Sequence, residues 1–562
     1  MEPKELGKRW IWPKRLNDSS EISLENFTPI ERQLLLRRQL HNHQEAQEFL
    51  DNDPPEMDDP FVMSNMDHAI KRVIEAMDKG ETVVVYGDYD ADGITATTLL
   101  MEVLGEDGIN ARYYIPDRMT EGYGLHDEAL TYLKSSGADL IITVDCGIRA
   151  VKEIQNAKDL GLDIIITDHH APGPEIPDAY AIINPKQKED SYPFKGFAGV
   201  GLAYKFGQAL KTTLGKHISR GALELVAIGT IADLAPLTGE NRFLVARGLQ
   251  NLNQSERPGL KALVEVAGVG GKKIDSDTVG FALGPRINAA GRLENAEKAL
   301  ELLLSKDLEL AKELALELDT INRKRQKLTG EIVELARMQV ADIWAEKNLI
   351  FAAHPEFHEG IVGLAASRLS EEFYRPAIVA VKGEEFTRGS ARSIPGFHIT
   401  EAFDTCADIL QQYGGHSSAA GFTVATASLE KFWERLEIFA EEKMVELELI
   451  PSVEIDVEVS FSEINSELLA FVEKLQPCGI GNPKPMFGTR NVQIINKRGV
   501  GRNQNHLKLM LKSEGRMFDA IAFRKGNITN SIPPVINIAF YIERNIYMGY
   551  ESIQLNIQEI SW

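Results

Sequence analysis

Three aspartates at alternating positions follow a β-branched run in the first hundred residues. In VVVYGDYDADG, Asp88, Asp90 and Asp92 come directly after residues typical of a buried strand. Their carboxylates would repel one another in a folded site unless a cation lay between them. This spacing therefore predicts a cation-binding site just after the strand.

Two further β-branched runs end in polar residues. Asp145 follows LIITV, and IIIT is followed by Asp168, His169 and His170. In an open parallel sheet, ligands bind outside the carboxyl ends of the strands, so these side chains are expected at one edge of one sheet. Downstream, AIGTIADLAPL adds Asp233 after an apolar, helix-like run.

The convergence of these residue types indicates metal-dependent phosphoester chemistry. One aspartate at a strand end is more often a helix N-cap than a ligand, but several carboxylates beside two imidazoles need metal ions or protons between them. Mixed Asp and His ligation, without a thiolate cluster, favours Mn²⁺ or Mg²⁺ over structural Zn²⁺. Two such ions can clamp the attacking and leaving oxygens of a phosphodiester, which favours a two-metal phosphoesterase over a structural role.

The elements that must position these residues follow from periodicity. Between Phe61 and Pro185, apolar runs such as ETVVVYG, ADLIITVD and AYAIIN alternate with helix-like segments. Alternation of strand and helix predicts an α/β domain with a doubly wound parallel sheet. Residues 294–347 contain one Gly and no Pro, which predicts one long connecting helix or two.

A second α/β block and a strand-rich region follow. The block covers about residues 349–449, and PSVEIDVEVSFSEI begins the last region, for which a small β-barrel such as an OB-fold is expected. We expect an N-terminal segment, a catalytic domain, connecting helices, a second α/β domain and an OB-like domain. The corresponding boundaries are 1–45, 46–293, 294–347, 348–452 and 453–562.

Composition is that of a globular protein with an uneven charge distribution. The 562 residues exceed the size of one hydrophobic core, and the net charge of −22 alone would favour a small-molecule enzyme. Between Leu475 and Tyr550, however, eleven Lys and Arg face three acids, which leaves this segment at +8 and the remainder at −30. A basic module on an acidic body can hold a phosphate backbone locally.

Targeting signals and cysteine use favour a cytoplasmic location. No apolar run approaches the length of a transmembrane helix, so no membrane association is expected. The first residues, MEPKELGKRWIWPKR, lack the apolar core of a secretory signal. Three widely separated cysteines argue against a disulfide framework and for a reducing compartment.

The order of the motifs resembles a known superfamily. GDYDADG, TVDCG, TDHH and GTIADLAPL are similar to motifs I to IV of the DHH phosphoesterases. ALGPRINAAGRL, HEGIVGLAASRL, GSARS, GGHSSAAG and LQPCGIGNPKPMF resemble segments of the RecJ family of single-strand-specific exonucleases. The resemblance covers roughly residues 60 to 550.

The resemblance implies a set of catalytic metal ligands. His170 would be a ligand or a neighbour that polarises the scissile phosphate, and Asp88 would be a ligand or a partner that orients one. Metal-activated water, rather than a side chain, would be the nucleophile. The ligands implied most directly are Asp90, Asp92, Asp145, His169 and Asp233.

The resemblance also implies contacts with nucleic acid. Arg118, Ser390 and Arg392 would face the terminal 5′ phosphate, and Tyr123 would stack near the terminal base. In GGHSSAAG, Gly415 would allow tight backbone geometry and His416 would donate to a phosphate oxygen; by itself this stretch could equally be a helix start that binds nothing. The motif PRINAAGR would supply backbone contacts or pairs between lobes through Arg286, Asn288 and Arg292.

These implications favour a 5′→3′ exonuclease on single-stranded DNA that releases 5′-mononucleotides in DNA repair and recombination. The family further implies Mn²⁺ or Mg²⁺ as cofactor, and a RecQ-type helicase and a single-stranded-DNA-binding protein as partners. A monomer is the default expectation for the oligomeric state, which the sequence leaves open. One alternative is a DHH phosphodiesterase for very short RNAs or cyclic dinucleotides. Another is a non-catalytic DNA-binding scaffold, although such scaffolds lose metal-binding carboxylates that are present here.

Overall fold

The computed structural model describes residues 7–13, 24–52, 57–341, 347–445, 447, 449–547 and 549–562. Two compact units can be distinguished. The first consists mainly of Asp59–Asp233 and Asn251–Pro451, and the second of Lys8–Asp58, Leu234–Gln250 and Ser452–Trp562. Among the described residues, no helix combines the length and apolar character needed to cross a bilayer.

The N-terminal segment contains one short strand and two helices. They are β1 (Arg9–Ile11), α1 (Pro29–Arg37) and α2 (His43–Asp51). Both helices begin at side-chain caps, since Thr28 and Asn42 accept hydrogen bonds from backbone N–H groups of the first turn. The N-terminal segment is therefore partly helical.

The first lobe of the first unit is built on a parallel sheet. Its elements are α3 (Met66–Lys79), β2 (Val83–Tyr86), α4 (Ala91–Glu106), β3 (Ala111–Tyr114), α5 (Asp127–Ser135), β4 (Leu140–Val144), α6 (Val151–Asp159), β5 (Asp163–Thr167), β6 (Ala181–Ile183), α7 (Gly199–Thr213) and α8 (Ala222–Ala232). The strand order is β3-β2-β4-β5-β6, and all pairings are parallel. Every residue of β2 and β4 is buried, as expected for strands covered on both faces. The predicted parallel α/β domain is confirmed.

A helical region joins this sheet to the second lobe. It contains α10 (Pro258–Val266), α11 (Ser276–Thr278), a π-helical turn (Val279–Leu283), α12 (Gly284–Leu293), α13 (Glu297–Leu304) and α14 (Leu308–Val340). The helix before them in sequence, α9 (Gly239–Leu252), lies mostly in the second unit. The connecting region predicted as one helix or two therefore forms two, α13 and α14. The longer one, α14, has 33 residues and packs against α10 and α12.

The second lobe of the first unit is a smaller α/β domain. It comprises β7 (Ile350–His354), α15 (Glu359–Phe373), β8 (Ala377–Lys382), β9 (Phe386–Arg392), α16 (Ile399–Asp404), β10 (Leu410–His416), β11 (Ala419–Ala425) and α17 (Leu429–Met444). Its sheet has the order β10-β11-β9-β8-β7, with only the β7–β8 pairing parallel. The predicted second α/β domain is confirmed.

The second unit contains a closed five-stranded barrel. Its remaining elements are β12 (Ser452–Glu454), β13 (Val457–Glu458), α18 (Ser466–Lys474), β14 (Phe487–Val500), β15 (His506–Ser513), β16 (Arg516–Ala522), β17 (Val535–Tyr547) and β18 (Tyr550–Ser561). The order β14-β15-β16-β18-β17 closes through pairing of β17 with β14, which is the connectivity of an OB-fold. The OB-like barrel expected from the sequence is confirmed.

The N-terminal helices share the core of this barrel. Leu34 and Leu35 of α1 and Leu50 of α2 belong to one apolar cluster with Phe461 and Phe540. Residues 46–58 and 234–250, which the sequence boundaries assign to the catalytic domain, lie in the second unit. The reason is apolar burial between residues that are far apart in sequence, which local periodicity does not reveal.

Candidate metal centre and inter-lobe cleft

The strand ends of the first lobe deliver the predicted ligands to one sheet edge. Asp145 directly follows β4, and its backbone has φ +63°, a left-handed conformation that is uncommon outside glycine. Its N–H donates to the Thr167 carbonyl at 3.0 Å, which holds this conformation. Gly199 makes room for it, because a Cβ there would lie 2.6 Å from the Cβ of Asp145.

Asp90 is both a helix cap and a free ligand. Its Oδ1 accepts hydrogen bonds from the N–H groups of Asp92 (2.8 Å) and Gly93 (3.1 Å), so Asp90 is the N-cap of α4. One carboxylate oxygen is used in the cap, and the other is available to a cation. The N-cap and ligand interpretations of this aspartate are therefore compatible.

Asp92 is held at the start of a second helix. It is 1% exposed, and its two oxygens accept from the N–H groups of Gly199 (2.6 Å) and Val200 (2.8 Å) in the first turn of α7. The N-terminus of a helix favours negative charge, so α7 fixes this carboxylate without neutralising it. Each oxygen retains a lone pair that can face a metal ion.

The donor atoms lie close together yet leave several hydrogen bonds unmade. His169 Nε2 is 2.9 Å from Asp145 Oδ1, 3.8 Å from Asp233 Oδ2 and 3.9 Å from Asp92 Oδ2. Within the described residues, the buried atoms His169 Nε2, Asp145 Oδ1 and Asp88 Oδ1 make no hydrogen bond. Unsatisfied buried polar atoms are costly, and their convergence fits a divalent cation that they would share.

All seven predicted ligand residues belong to this cluster. Their donor atoms form three overlapping groups, in each of which the atoms lie within 4.8 Å of one another. Asp145 occurs in two groups and His169 in two, so the groups have common members. The groups are Asp88, Asp90 and Asp145; Asp145, His169 and His170; and Asp92, His169 and Asp233.

Electrostatics in the cluster call for positive charge. Burial and the charges of neighbouring aspartates raise the pKa values of Asp88, Asp92 and Asp145 well above their usual range. Burial and the charge of Asp90 raise the pKa of Asp233 to about 7. Burial lowers the pKa of His169 to about 3, so its imidazole is neutral, as a metal ligand must be.

Asp168 positions His170, a role that the sequence did not assign to it. His170 Nδ1 lies 2.8 Å from Asp168 Oδ1, which also accepts from the His170 N–H at 3.0 Å. The other oxygen of Asp168 accepts from the Ile148 N–H at 2.9 Å. The pKa of His170 is raised, because the bond and charge of Asp168 outweigh the opposing effect of burial. The sequence feature that could have indicated this role is the position of Asp168, directly before His169 and His170 in the DHH motif.

Tyr123 lies beside the metal centre. Its hydroxyl donates to the Asp145 carbonyl at 3.0 Å and lies 3.2 Å from His170 Nδ1, while the side chain is 49% exposed. The exposed ring lines a cavity of about 220 Å³ together with Arg149 and His170. Stacking of Tyr123 on a terminal base stays a prediction.

A larger cleft separates the two lobes of the first unit. This inter-lobe cleft has a volume of about 440 Å³ and is lined by Arg118 from the first lobe and by Glu359, Arg388, Ser390 and Gly414 from the second, among others. The structure thus brings the predicted residues Arg118 and Ser390 together. Ser390 Oγ accepts from Arg392 Nη1 at 2.9 Å, which orients the Arg392 guanidinium next to the cleft.

Several guanidinium groups concentrate positive charge next to the cleft. Burial, together with the charges of Arg118, Arg325 and Arg392, lowers the pKa of Arg292 to about 10. The guanidinium of Arg118 lies 5.1 Å from the centre of the Tyr89 ring. Arginines that repel one another at a cleft are the usual surroundings of a phosphate.

The other residues of PRINAAGR make contacts within the first unit. Arg286 forms an ion pair of 2.9 Å with Asp319 of α14, and Asn288 Oδ1 accepts from the Ala91 N–H at 2.7 Å. These bonds hold α12 against α14 and against the first turn of α4. Contact of Arg286 and Asn288 with a DNA backbone stays a prediction.

The motif GGHSSAAG forms the β10–β11 hairpin rather than a helix start. Gly415 has φ +154°, and a Cβ there would lie 2.2 Å from the Ala419 carbonyl oxygen, so a side chain does not fit. His416 is exposed near the hairpin tip. Its pKa is lowered by partial burial and by the charges of Arg149, His170 and Lys186, which places it within electrostatic range of the DHH motif.

The outer face of the barrel combines basic and apolar side chains. Arg498 of β14 lies opposite Lys508 of β15, and Met510 and Lys512 continue along the same strand. Among the aromatic residues of the barrel that could stack on a base, Phe523 is 55% exposed. Phe487 is buried and Phe518 is packed against the core, as aromatic residues of a small barrel usually are, while Tyr541 lies under Lys484.

Comparison with known proteins agrees with this architecture. The family description "DHH family, N-terminal domain" matches residues 82–230, "DHHA1 domain" matches 346–442 and "RecJ OB domain" matches 455–559. The single-stranded-DNA-specific exonuclease RecJ of Bacillus subtilis is 40% identical over 96% of this chain and 69% of its own length. The protein of that name from Escherichia coli is 32% identical over 97% of this chain and 98% of its own.

A solved structure shows the same overall likeness. RecJ from Thermus thermophilus in complex with Mn²⁺ is 30% identical, with a TM-score of 0.84 over 99% of this chain and 79% of that chain. Its complex with Mg²⁺ gives a TM-score of 0.78. The two lobes and the acidic centre define the class of DHH phosphoesterases. Within that class, the chain belongs to the RecJ family.

Proposed function

We propose that this RecJ-family exonuclease degrades single-stranded DNA from the 5′ end by a two-metal mechanism and releases 5′-mononucleotides. The observation that carries the proposal is the set of unpartnered donor atoms on Asp145, His169 and Asp88, next to a cleft lined by Arg118 and Ser390. The buried carboxylates require metal ions, and the arginines at the cleft provide positive charge for an anionic strand. Both requirements are met by a metal-dependent nuclease.

The residues of the cluster would hold two ions. Asp145 and His169, which belong to overlapping donor groups, are the natural shared or neighbouring ligands of the two positions. Mn²⁺ or Mg²⁺ bound there would supply a water of lowered pKa and stabilise charge that develops on the phosphate oxygens. Structures of RecJ from Thermus thermophilus in complex with either ion support this assignment.

The chain's own side chains would orient the strand. Arg118, Ser390 and Arg392 would bind the terminal 5′ phosphate, with the guanidinium of Arg392 held by its bond to Ser390. His170, fixed by Asp168, would donate to a non-bridging oxygen of the scissile phosphate. Selection of the terminal phosphate would place the first phosphodiester at the acidic cluster, which explains removal of one nucleotide at a time.

Family membership and the expectations from the sequence together extend the proposal to wider roles. We infer a cytoplasmic monomer that acts in DNA repair and recombination beside a RecQ-type helicase and a single-stranded-DNA-binding protein. Because all seven residues of the metal cluster are present, a catalytic role is favoured over a non-catalytic scaffold. The matched RecJ OB domain favours a long strand as substrate over very short RNAs.

A labelled single strand tests the proposal. A 5′-phosphorylated oligonucleotide would carry fluorophores placed internally near either terminus and would be incubated with Mn²⁺, with and without chelator. We expect metal-dependent loss that begins at the 5′ end and spares the matching duplex. Asp90→Ala and Asp145→Ala should each lower the rate by at least about a thousandfold, the several kcal/mol that such ions contribute.

The control replaces a carboxylate outside the cluster. Asp67 is exposed on α3, so Asp67→Asn should retain the full rate. Full activity in both cluster variants would sink the two-metal assignment. Binding without cleavage by the unchanged protein would favour a scaffold, and cleavage confined to two- to five-nucleotide RNA would favour the short-substrate phosphodiesterase.

A further inference from the structure

The turn after β6 carries a lysine that is tied to the DHH motif. Asn184, the first residue after β6, is fully buried. Its Nδ2 donates to the His170 carbonyl at 2.9 Å, and its Oδ1 accepts from the Lys186 N–H at 2.8 Å. One buried amide therefore links the backbone of Lys186 to the backbone of His170.

Further hydrogen bonds hold this turn in place. The Gln187 N–H donates to the Asn184 carbonyl at 3.1 Å, and Gln187 Nε2 donates to the Ile182 carbonyl at 3.3 Å. The turn is thus anchored both to β6 and to the loop that bears His169 and His170. Hydrogen bonds therefore fix the backbone of the turn on which Lys186 lies.

The side chain of Lys186 is available to a ligand. It is exposed at the surface of this anchored turn. Loss of solvent in its surroundings lowers its pKa, while the charges of Asp233 and Asp168 act in the opposite direction. The charges of both carboxylates thus act on the Lys186 ammonium group. Asp233 belongs to the metal cluster, and Asp168 positions His170.

Sheet order places Lys186 at one end of a row of functional groups. Arg118 follows β3, the three aspartates from Asp88 to Asp92 follow β2, Asp145 follows β4, His169 follows β5, and Lys186 follows β6. Because the spatial order is β3-β2-β4-β5-β6, the acids lie between two cations. Neighbouring strands are about 4.8 Å apart, so the row is long enough for several nucleotides.

We infer that Lys186 binds the phosphodiester on the 3′ side of the scissile one. This rests on the proposed function, in which the terminal 5′ phosphate lies at Arg118 and the scissile phosphate at the acids. A strand that continues along the sheet edge then reaches the end of β6 with its next phosphate. The Lys186 ammonium donates to that phosphate and holds the strand in register for the next cleavage.

Substrates of two lengths isolate this contact. A 5′-phosphorylated dinucleotide contains the terminal and scissile phosphates only, whereas a trinucleotide adds the phosphate assigned to Lys186. Lys186→Ala should lower the trinucleotide-to-dinucleotide ratio of kcat/KM by about tenfold, the worth of one charged hydrogen bond. Lys188, also exposed and two residues further along, provides the matched control, and Lys188→Ala should leave the ratio unchanged.

A neutral phosphate analogue completes the test. A trinucleotide with a methylphosphonate at its second phosphodiester should be a poorer substrate for the unchanged protein by about tenfold, since the ammonium then faces a group without charge. It should be no poorer than the natural trinucleotide for Lys186→Ala. Equal losses on both substrate lengths would overturn the proposal, because Lys186 would then act at the scissile phosphate or the metal centre.

The outcomes for the unchanged protein and for Lys186→Ala distinguish an error in the proposed function from an error in the role of Lys186. If the unchanged protein shows no metal-dependent cleavage of any single strand, the proposed function itself is wrong. If it cleaves normally but Lys186→Ala matches Lys188→Ala on every substrate, only the assignment of Lys186 is wrong.

Discussion

The conformation and environment of Asp145 lower the folding stability of the protein without its metal ions. Its φ of +63° and its 2% exposure place a charged carboxylate in an unfavourable backbone conformation and an unfavourable environment. The neighbouring carboxylates of Asp92 and Asp90 add repulsion. A metal ion that binds only the folded state offsets these costs, so metal binding and folding stability should be coupled.

Asp145→Asn separates repulsion from metal binding. Asparagine tolerates the left-handed backbone and has nearly the same shape, so the fold should persist. In chelator, relief of repulsion should leave the melting temperature equal to or above that of the unchanged protein. In Mn²⁺ at 100 times Kd, the unchanged protein should gain about 2.7 kcal/mol, a rise of several degrees that the variant lacks.

Calorimetry with and without Mn²⁺ measures both effects. Asp67→Asn, exposed on α3, controls for the loss of one negative charge and should keep the full Mn²⁺ response. An undiminished response in Asp145→Asn would contradict the assignment of Asp145 as a ligand.

The identities of the ligands could be predicted, but their orientation could not. Strand ends are visible as β-branched runs, so the positions of Asp90, Asp145 and His169 follow from the sequence. The bond between Asp168 and His170 depends on which way a side chain turns after β5. Likewise, Lys186 looks like an ordinary surface lysine until Asn184 is seen to tie it to His170.

At the scale of elements, parallel pairing explains why the site exists at one edge. Each strand from β2 to β5 ends in a loop that carries part of the site, and parallel register brings these loops together. Local patterns predicted the strands and the barrel. They did not predict that α1 and α2 complete the barrel core, because that pairing joins residues more than 400 positions apart.

Arg242 of α9 ties together the three chain segments of the second unit. Its side chain is 1% exposed and lies 3.5 Å from the centre of the Phe49 ring. It donates to the carbonyls of Phe49 (3.1 Å), Leu475 (3.0 Å) and Gln476 (3.0 Å). Carbonyls just after α18 carry the negative end of the helix dipole, which suits a buried guanidinium that has no carboxylate partner among these contacts.

Arg242→Met should destabilise the second unit by about 3 kcal/mol, because the carbonyls of Phe49, Leu475 and Gln476 each lose a buried charged donor. The carbonyls of Leu475 and Gln476 keep one hydrogen bond each, from Asn482 and Asn52. Urea unfolding followed by tryptophan fluorescence would measure the change, with Trp10 and Trp12 reporting from this unit. Arg502→Met, at an exposed arginine of the same unit, is the control and should change stability by less than about 0.5 kcal/mol. Equal stability of the two variants would show that the Arg242 bonds add nothing.

At the scale of the whole molecule, charge is segregated rather than balanced. The protein carries −22 overall, yet the segment that includes most of the barrel carries +8. Arg498 and Lys508 stand directly opposite each other on neighbouring strands, an arrangement that costs stability. The Asp519 carboxylate, 3.7 Å from the Lys508 ammonium, relieves part of this repulsion, and a bound anion would relieve more. A phosphate backbone is such an anion, and its binding releases counterions.

Salt dependence should therefore report on the barrel. For a 30-nucleotide single strand in chelator, log K should fall linearly with log salt concentration. The triple variant Arg498→Ala, Lys508→Ala and Lys512→Ala should reduce the magnitude of this slope by about 2, at about 0.7 for each phosphate that the variant no longer neutralises. Fluorescence anisotropy measures the slope, and a triple variant of exposed lysines in the first unit (Lys79, Lys312 and Lys327 to Ala) is the control.

Catalysis provides a second control for the barrel variant. Because Arg498, Lys508 and Lys512 are far in sequence from the metal ligands and belong to the other unit, metal-dependent hydrolysis of a trinucleotide should not change. An unchanged slope would mean that the strand is bound by the first unit alone, and that the basic barrel face has another partner.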